Sequence, residues 1–399
     1  MKFFLLLIVL LSSCYITIAQ SFTGSVSRGK ATIIEQNIFP SCSGSRPSVV
    51  GKSTSSDNKE WIVPAETVFL QGPYLSDFYN QCNNITPSNI NAVDLNKIPI
   101  NIIDEDGEII TGYVLSDNYC EVYINGILIG ADPVPFTPFN SCLLRFKVKK
   151  PYTIAVKLVD WEENSGLGTE NNNGNLYHAG DAGFIARFSD GTISDTSWKA
   201  QVYYISPLMS PDSIIELSNN TRYCKQLARN IPCADSCYAV HYPLPDNWQS
   251  PAFDDSNWPK AYIYTPETVG VNFPAWTNFT SLWTSSSFIW TSNLVVDNLV
   301  LARKTVGSNP SSIFESSELK PIISVDNKRI SLIPHKDIHN ATLQLFSLVG
   351  HCISTINNAD LIAGIPYQLS LSNNLPVGVY CLSLHDGNSY KFTSTLFIH

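Results

Sequence analysis

The chain has 399 residues, enough for two or three domains. Only 15% of them are charged and the formal net charge is −9, which argues against nucleic-acid binding, since that needs a basic face. Its 44% hydrophobic content, with 11% aromatics, excludes a disordered chain.

Residues 1–19 read as an export signal. Lys2 supplies a short basic start, residues 3–11 an apolar core, and Ala19 the cleavage position, leaving Gln20 first. The run Leu11-Ser12-Ser13-Cys14 offers a competing reading as a lipoprotein box, with a lipid on Cys14. No later stretch reaches the roughly 18 consecutive apolar residues of a membrane span.

Residues 20–95 are polar and rich in turn residues, a leading segment wrapped on the next domain or poorly ordered. From residue 96 to 306 the pattern becomes regular. Strands are expected at 98–103, 109–115, 120–124, 143–148, 153–159, 183–188 and 200–205. Asp106-Gly107, Asn125-Gly126 and Asp190-Gly191 read as hairpin turns. Helical periodicity is nowhere sustained. The region reads as one unit or as two, about 96–210 and 235–306. A Ser-rich linker spans 307–320, and residues 321–399 form a small all-β tail. Its strands are expected at 329–333, ending at Pro334, at 343–348, ending at Gly350, at 378–384, and at 390–398 after an Asp386-Gly387 turn.

Losing Cys14 with the signal leaves nine of the ten cysteines. An exported chain can hold disulfides. The candidate pairs are Cys120 with Cys142, Cys352 with Cys381, and Cys42 with Cys82. Cys224, Cys233 and Cys237 are close enough to share one bridge, with Cys233 and Cys237 the candidates. Zinc on those three, completed by His241, is the alternative, although no Cys-x-x-Cys pair occurs.

The stretch most suggestive of chemistry is residues 160–181. Asp160, Glu162, Glu163, Glu170 and Asp181 could form an oxygen cage for calcium. Trp161, Glu163, Glu170, His178 and Asp181 could hold a ligand, with Trp161 stacking on a sugar face. The bland reading is a long solvated loop. Glu162 and Glu163 are adjacent, so on a strand they point apart. A glycosidase needs two carboxylates facing one bond across roughly 5–10 Å, and nothing in the spacing demands that. No Gly-x-Ser-x-Gly motif and no phosphate-binding glycine loop occurs. Asp254-Asp255-Ser256 reads as a structural turn, with Trp248, Trp258 and Trp290 filling a core.

Two resemblances add to this. The tail resembles the C-terminal sorting domain of the type IX (Por) secretion system. Pro334 fits its first loop, Gly350 its turn, Leu375-Pro376-Val377-Gly378-Val379-Tyr380 its Gly-Val-Tyr box and Leu396-Phe397-Ile398 its apolar end. The first loop reads Pro334-His335-Lys336, without the usual Asn and second Pro. The usual lysine before the end is missing, with Lys391 the nearest. The resemblance implies the type IX secretion machinery as a partner and a secreted or outer-membrane-surface location.

The middle region resembles the galactose-binding-like jelly roll, and an uncharacterised family of secreted bacterial proteins. The residues that carry this are Asp117-Asn118, Val122-Tyr123-Ile124-Asn125-Gly126, the strand 152–158, and a box from Trp248 through Phe253-Asp254-Asp255-Ser256 to Trp258. The implied fold is all-β: a galactose-binding-like β-sandwich followed by a small Ig-like antiparallel sandwich. The implied function is non-catalytic binding of carbohydrate or calcium at the cell surface, with a glycan ligand. The alternatives are a secreted glycoside hydrolase using the acidic loop, or a structural surface component.

Overall fold

The computed structural model describes residues 24–226, 228–307, 321–326, 329–334, 337–347, 351–372, 375–386 and 391–398. The expected signal with Cys14, most of the linker, His335, Gly350 and Gly387 lie outside the described residues. The fold is all-β, as expected, and divides into two compact units, Met1–Gly307 and Ser308–His399.

The first unit is a sandwich of two large sheets. One runs, in spatial order, Ser25–Arg28, Tyr238–His241, Lys199–Leu208, Asp297–Val306, Tyr152–Val159, Tyr119–Ile124 and Ile127–Ala131. The other runs Tyr262–Tyr264, Phe288–Trp290, Gly183–Phe188, Glu108–Asp117, Ser141–Val148 and Ser76–Tyr79, with Ile100–Ile102 added parallel to Ser141–Val148. Both sheets combine strands from 96–210 and from 235–306, so these stretches build one sandwich. The leading segment is stitched into it, giving an edge strand to each sheet.

The core between the sheets holds Val122 and Val156 from one side and Val114, Leu144 and Phe184 from the other. Phe146 meets Tyr152 edge-on at 5.7 Å and Phe184 meets Trp198 at 5.9 Å. Successive side chains on a strand face opposite ways. On the second sheet the alternate residues Leu115, Leu143 and Ile185 therefore point outward. There they pack under Val269, Phe279 and Trp283, from a segment with two one-turn helices, Pro266–Val269 and Pro274–Thr277. A sheet covered on both faces needs near-continuous apolar strands.

The first sheet is also covered outside, by the leading segment. Cross-strand partners Lys157 and Glu121 form a buried ion pair at 3.0 Å. Glu121 also accepts from Tyr123 Oη at 2.8 Å and from the Val68 amide at 2.8 Å, and Lys157 donates to the Glu66 carbonyl at 3.1 Å. Burying such charges is tolerable because their hydrogen-bonding capacity is met. His241 is stacked between Trp61 and Tyr204, at 5.1 and 5.0 Å, and meets Ser27 Oγ at 2.8 Å. Burial pushes its pKa down to about 3.

Asn125 and Gly126 have φ of 51° and 83°, as a two-residue hairpin turn requires, and join Tyr119–Ile124 to Ile127–Ala131. Asp106-Gly107 is not a hairpin turn. The strands it links, Ile100–Ile102 and Glu108–Asp117, lie on opposite edges of Ser141–Val148.

Disulfides join Cys42 to Cys82 and Cys233 to Cys237. The second removes the expected zinc set, since a bonded sulfur is no thiolate ligand. Cys120 and Cys142 are not paired. Their strands belong to the two facing sheets, and both thiols are free and buried. Cys352 and Cys381 are also free. Both lie opposite Phe346, one on each side of its strand. Two strand spacings of about 4.8 Å exceed the roughly 7 Å limit between bridged Cα atoms.

The second unit has a three-stranded sheet, Ile322–Asp326, Arg329–Ile333 and Tyr367–Ser370, and a four-stranded one, Cys352–Leu361, Ile338–Ser347, Gly378–His385 and Lys391–Ile398. Its own core gathers Ile330, Leu343, Leu382 and Ile398. Tyr380 of the Gly-Val-Tyr box is buried and donates from Oη to the Pro376 carbonyl at 2.7 Å.

Candidate functional site

The acidic loop leaves the core at the end of Tyr152–Val159 and is tied down at once. The Asp160 amide donates to the Asn298 carbonyl at 2.9 Å, and the Trp161 amide to Asn118 Oδ1 at 2.6 Å. Trp161 is 1% exposed and meets Tyr119 edge-on at 5.9 Å. It is a core residue and offers no face to a sugar, contrary to expectation. Its position directly after an apolar strand carries it back under the sheet.

The five carboxylates do not form a cage. Glu162 turns inward and accepts from the Gly166 amide at 2.7 Å and from Tyr204 Oη at 3.5 Å. Glu163 and Glu170 converge on one guanidinium, that of Arg46, at 2.8 and 2.7 Å. Arg46 also stacks over Phe136 at 4.4 Å. Asp181 pairs with Arg229 at 2.6 Å, and His178 Nδ1 meets Asn230 Oδ1 at 3.0 Å. Among the described residues, no three His, Cys, Asp or Glu side chains are grouped to hold a metal ion. The expected calcium set is thus divided between two arginines and the interior.

Burial dominates the electrostatics here. It pushes the Glu162 carboxyl up to about 8. It raises Asp160 and Asp117 far above the usual carboxylate range, reinforced by repulsion between them and from Asp181 and Glu170. Glu170 is raised by burial, with Arg46 opposing.

A different place is open. A groove of about 670 Å³ runs beside Tyr262–Tyr264, the edge strand of the second sheet. Its floor is the stretch 256–261, and its walls include Lys199, Thr196 and the turn 219–221. The box from Trp248 to Trp258 builds this floor and is structural, as expected. Arg303, 1% exposed, donates to Asp255 at 2.8 Å, to the Ser250 carbonyl at 3.1 Å and to the Trp248 carbonyl. Trp258 is buried against Phe253 at 5.4 Å.

The groove's polar groups are not used up by the fold. Asn219 Oδ1 accepts from the Thr221 amide at 3.2 Å and so fixes the turn. The side-chain amides of Asn220 and Asn257 are exposed and have no hydrogen-bond partner among the described residues. Thr221 is 3% exposed, yet its Oγ1 is buried with no partner. Tyr262 and Ile263 are 43% and 54% exposed. Ile263 also borders a smaller cleft of about 290 Å³, lined by Tyr264, Pro266, Trp276 and Phe288 among others.

Sequence reasoning missed this groove. The signal available was the exposed Tyr262-Ile263 pair, directly after the tryptophan box. Nothing local says that the turn 219–221 comes to face it.

No protein-family model matches the chain, and no curated protein matches it. Solved structures similar to it include a lectin from Pleurotus ostreatus in complex with GalNAc, 11% identical, covering 95% of this chain and 84% of that one, with a TM-score of 0.17. Another is the Ruminococcus gnavus beta-glucuronidase, 9% identical, covering 94% and 43%, with a TM-score of 0.15. A biofilm-associated protein's BSP domain is 10% identical, covering 95% and 67%, with a TM-score of 0.16. Scores this low carry no argument about ligand or reaction.

Proposed function

We propose that this is an exported, non-catalytic carbohydrate-binding protein, with its ligand site in the groove beside Tyr262–Tyr264. The observation that carries this reading is the pair of exposed side-chain amides of Asn220 and Asn257, unpartnered among the described residues, in one groove with the exposed Tyr262. A sugar presents closely spaced hydroxyls that both donate and accept, together with an apolar ring face. Asparagine amides, which both donate and accept, match the first property. A half-exposed tyrosine matches the second. A large concave site with a few fixed polar groups is the usual form of a small-ligand pocket.

The export half rests on the signal-like residues 1–19 and on the tail's resemblance to type IX sorting domains. On this reading the secretion machinery takes the chain to the cell surface or the medium.

The test is a glycan array probed with the secreted chain, wild type and Tyr262→Ala. Binding that falls at least tenfold in the variant supports the groove. Binding that survives Tyr262→Ala and Asn220→Ala unchanged moves the site elsewhere. Removal of residues 321–399 should leave the protein inside the outer membrane; normal release of the truncated chain would end the sorting proposal.

A further inference from the structure

We infer that the groove prefers anionic glycans, those bearing uronate carboxylates or sulfate groups, over neutral ones. This deepens the carbohydrate-binding reading and rests on it.

The chain carries nine more acidic than basic side chains, 34 against 25. An average surface groove on it should therefore be acidic. This one has two lysines in its lining, Lys199 and Lys260, and no Asp or Glu. The two are brought together by backbone pairing, since Lys199 and Lys260 are partners in an antiparallel bridge. Lys199 is positioned from both sides of the floor, donating to the Trp258 carbonyl at 2.8 Å and to the Ser256 carbonyl at 3.3 Å. An ammonium has three donors, so one remains for a ligand. Lys260 is exposed, and neither lysine has an ion-pair partner among the described residues.

The carboxylates next in sequence to the lining are not part of it and are held in local turns or an ion pair. Asp195 accepts from the Ser197 amide at 2.8 Å, and Asp254 from the Ser256 amide at 2.9 Å. Asp255 is bound to Arg303 at 2.8 Å. Beyond them, Glu216 is paired with Arg222 at 3.1 Å. The groove thus has positive charge in its own lining, beside the amide donors of Asn220 and Asn257. An anionic oxygen accepts from all of them, and charge-assisted bonds of this kind are about twice as strong as neutral ones.

The experiment uses the full secreted chain on an array carrying neutral, uronate-bearing and sulfated glycans, at low salt and at 0.5 M NaCl as an order-of-magnitude screening condition. The expected result is affinity for anionic glycans at least tenfold above that for neutral analogues, reduced severalfold by salt. Lys260→Gln should cut that preference to about threefold or less while leaving thermal stability unchanged. Equal binding of neutral and anionic glycans, or an anionic preference indifferent to Lys260→Gln, overturns the inference and leaves the carbohydrate-binding reading standing. No binding to any glycan overturns that reading as well.

Discussion

The loop 160–181 and the groove beside Tyr262–Tyr264 are opposites. The loop has the denser chemistry in sequence, five carboxylates, a tryptophan and a histidine. In the fold its charged side chains are largely committed: Glu163 and Glu170 to Arg46, Asp181 to Arg229, Glu162 to Gly166 and Tyr204. Trp161 packs in the core, and its Nε1, with Asn164 Nδ2 and Thr169 Oγ1, is buried without a partner among the described residues. The groove has ordinary residues, but the exposed side chains of Asn220, Asn257 and Lys260 are left without partners among the described residues. The groups able to bind are those the fold leaves both unpartnered and open to solvent. A density of polar residues along the chain says little about that, because a buried polar group must find a partner whether or not it has a function.

The sharpest way to break this comparison is to remove a partner on each side. Arg46→Ala should cost about 3 kcal/mol of stability, the scale for stranding one side of a largely buried ion pair. Glu163 and Glu170 would be left facing each other with side chains 16% and 13% exposed. Tyr262→Ala should stay within about 0.5 kcal/mol, as surface changes usually do. Urea melts of both variants decide it. A cheap Arg46→Ala would mean that the two glutamates are solvated and available, and the loop would regain its claim to be the site.

The next effect is pH dependence. The Glu162 carboxyl sits at about 8 in the fold, above its ordinary value of 4.5. The folded state therefore holds a proton that the unfolded chain releases, and stability falls as pH rises from about 4.5 toward 8. Asp132 and Asp297, each raised by burial to about 7, act in the same sense over a lower window. His241 acts in the opposite sense: its pKa of about 3 makes the fold lose stability as pH falls from about 6.5 toward 3. Glu162→Gln keeps an acceptor and removes the titration. It should recover on the order of 1 kcal/mol at pH 7.5 relative to pH 5.5, below the roughly 1.4 kcal/mol per pH unit of a fully effective group. An unchanged slope between those two conditions would show that Glu162 is ionised in the fold.

The architecture was largely legible in the sequence. The strands expected at 153–159 and 183–188 match Tyr152–Val159 and Gly183–Phe188 to within a residue. Asn125-Gly126 turned where its local chemistry required. Such features depend on neighbours a few residues away. The features that were not legible depend on distant ones. Ser25–Arg28 is a strand because Tyr238–His241 lies beside it, and its own four residues carry little apolar pattern. Glu163 and Glu170 were expected to attract calcium because Arg46, more than a hundred residues earlier, was not in view. Cys120 and Cys142 flank neighbouring strands in the chain but fall on different sheets.

The smallest expected effect is the one on which the sequence placed most weight. Adding calcium and then EDTA to the full chain should leave its melting temperature unchanged within about a degree. An ion that binds only the native state raises the melting point by mass action, and hard-cation sites are built from six to eight oxygens. Here Glu163, Glu170 and Asp181 already face cations of their own, and Asp160 and Glu162 are buried. Calcium would have to displace the Arg46 guanidinium from Glu163 and Glu170, together with its bond to the Asn171 carbonyl at 3.1 Å. It would gain Glu163 and Glu170, whose proximity to one another Arg46 already offsets. A calcium-dependent rise in the wild type that disappears in Glu170→Gln would show that the arginine yields to the metal. The loop would then be a second binding site, and the division between a satisfied region and an available one would fail at that point.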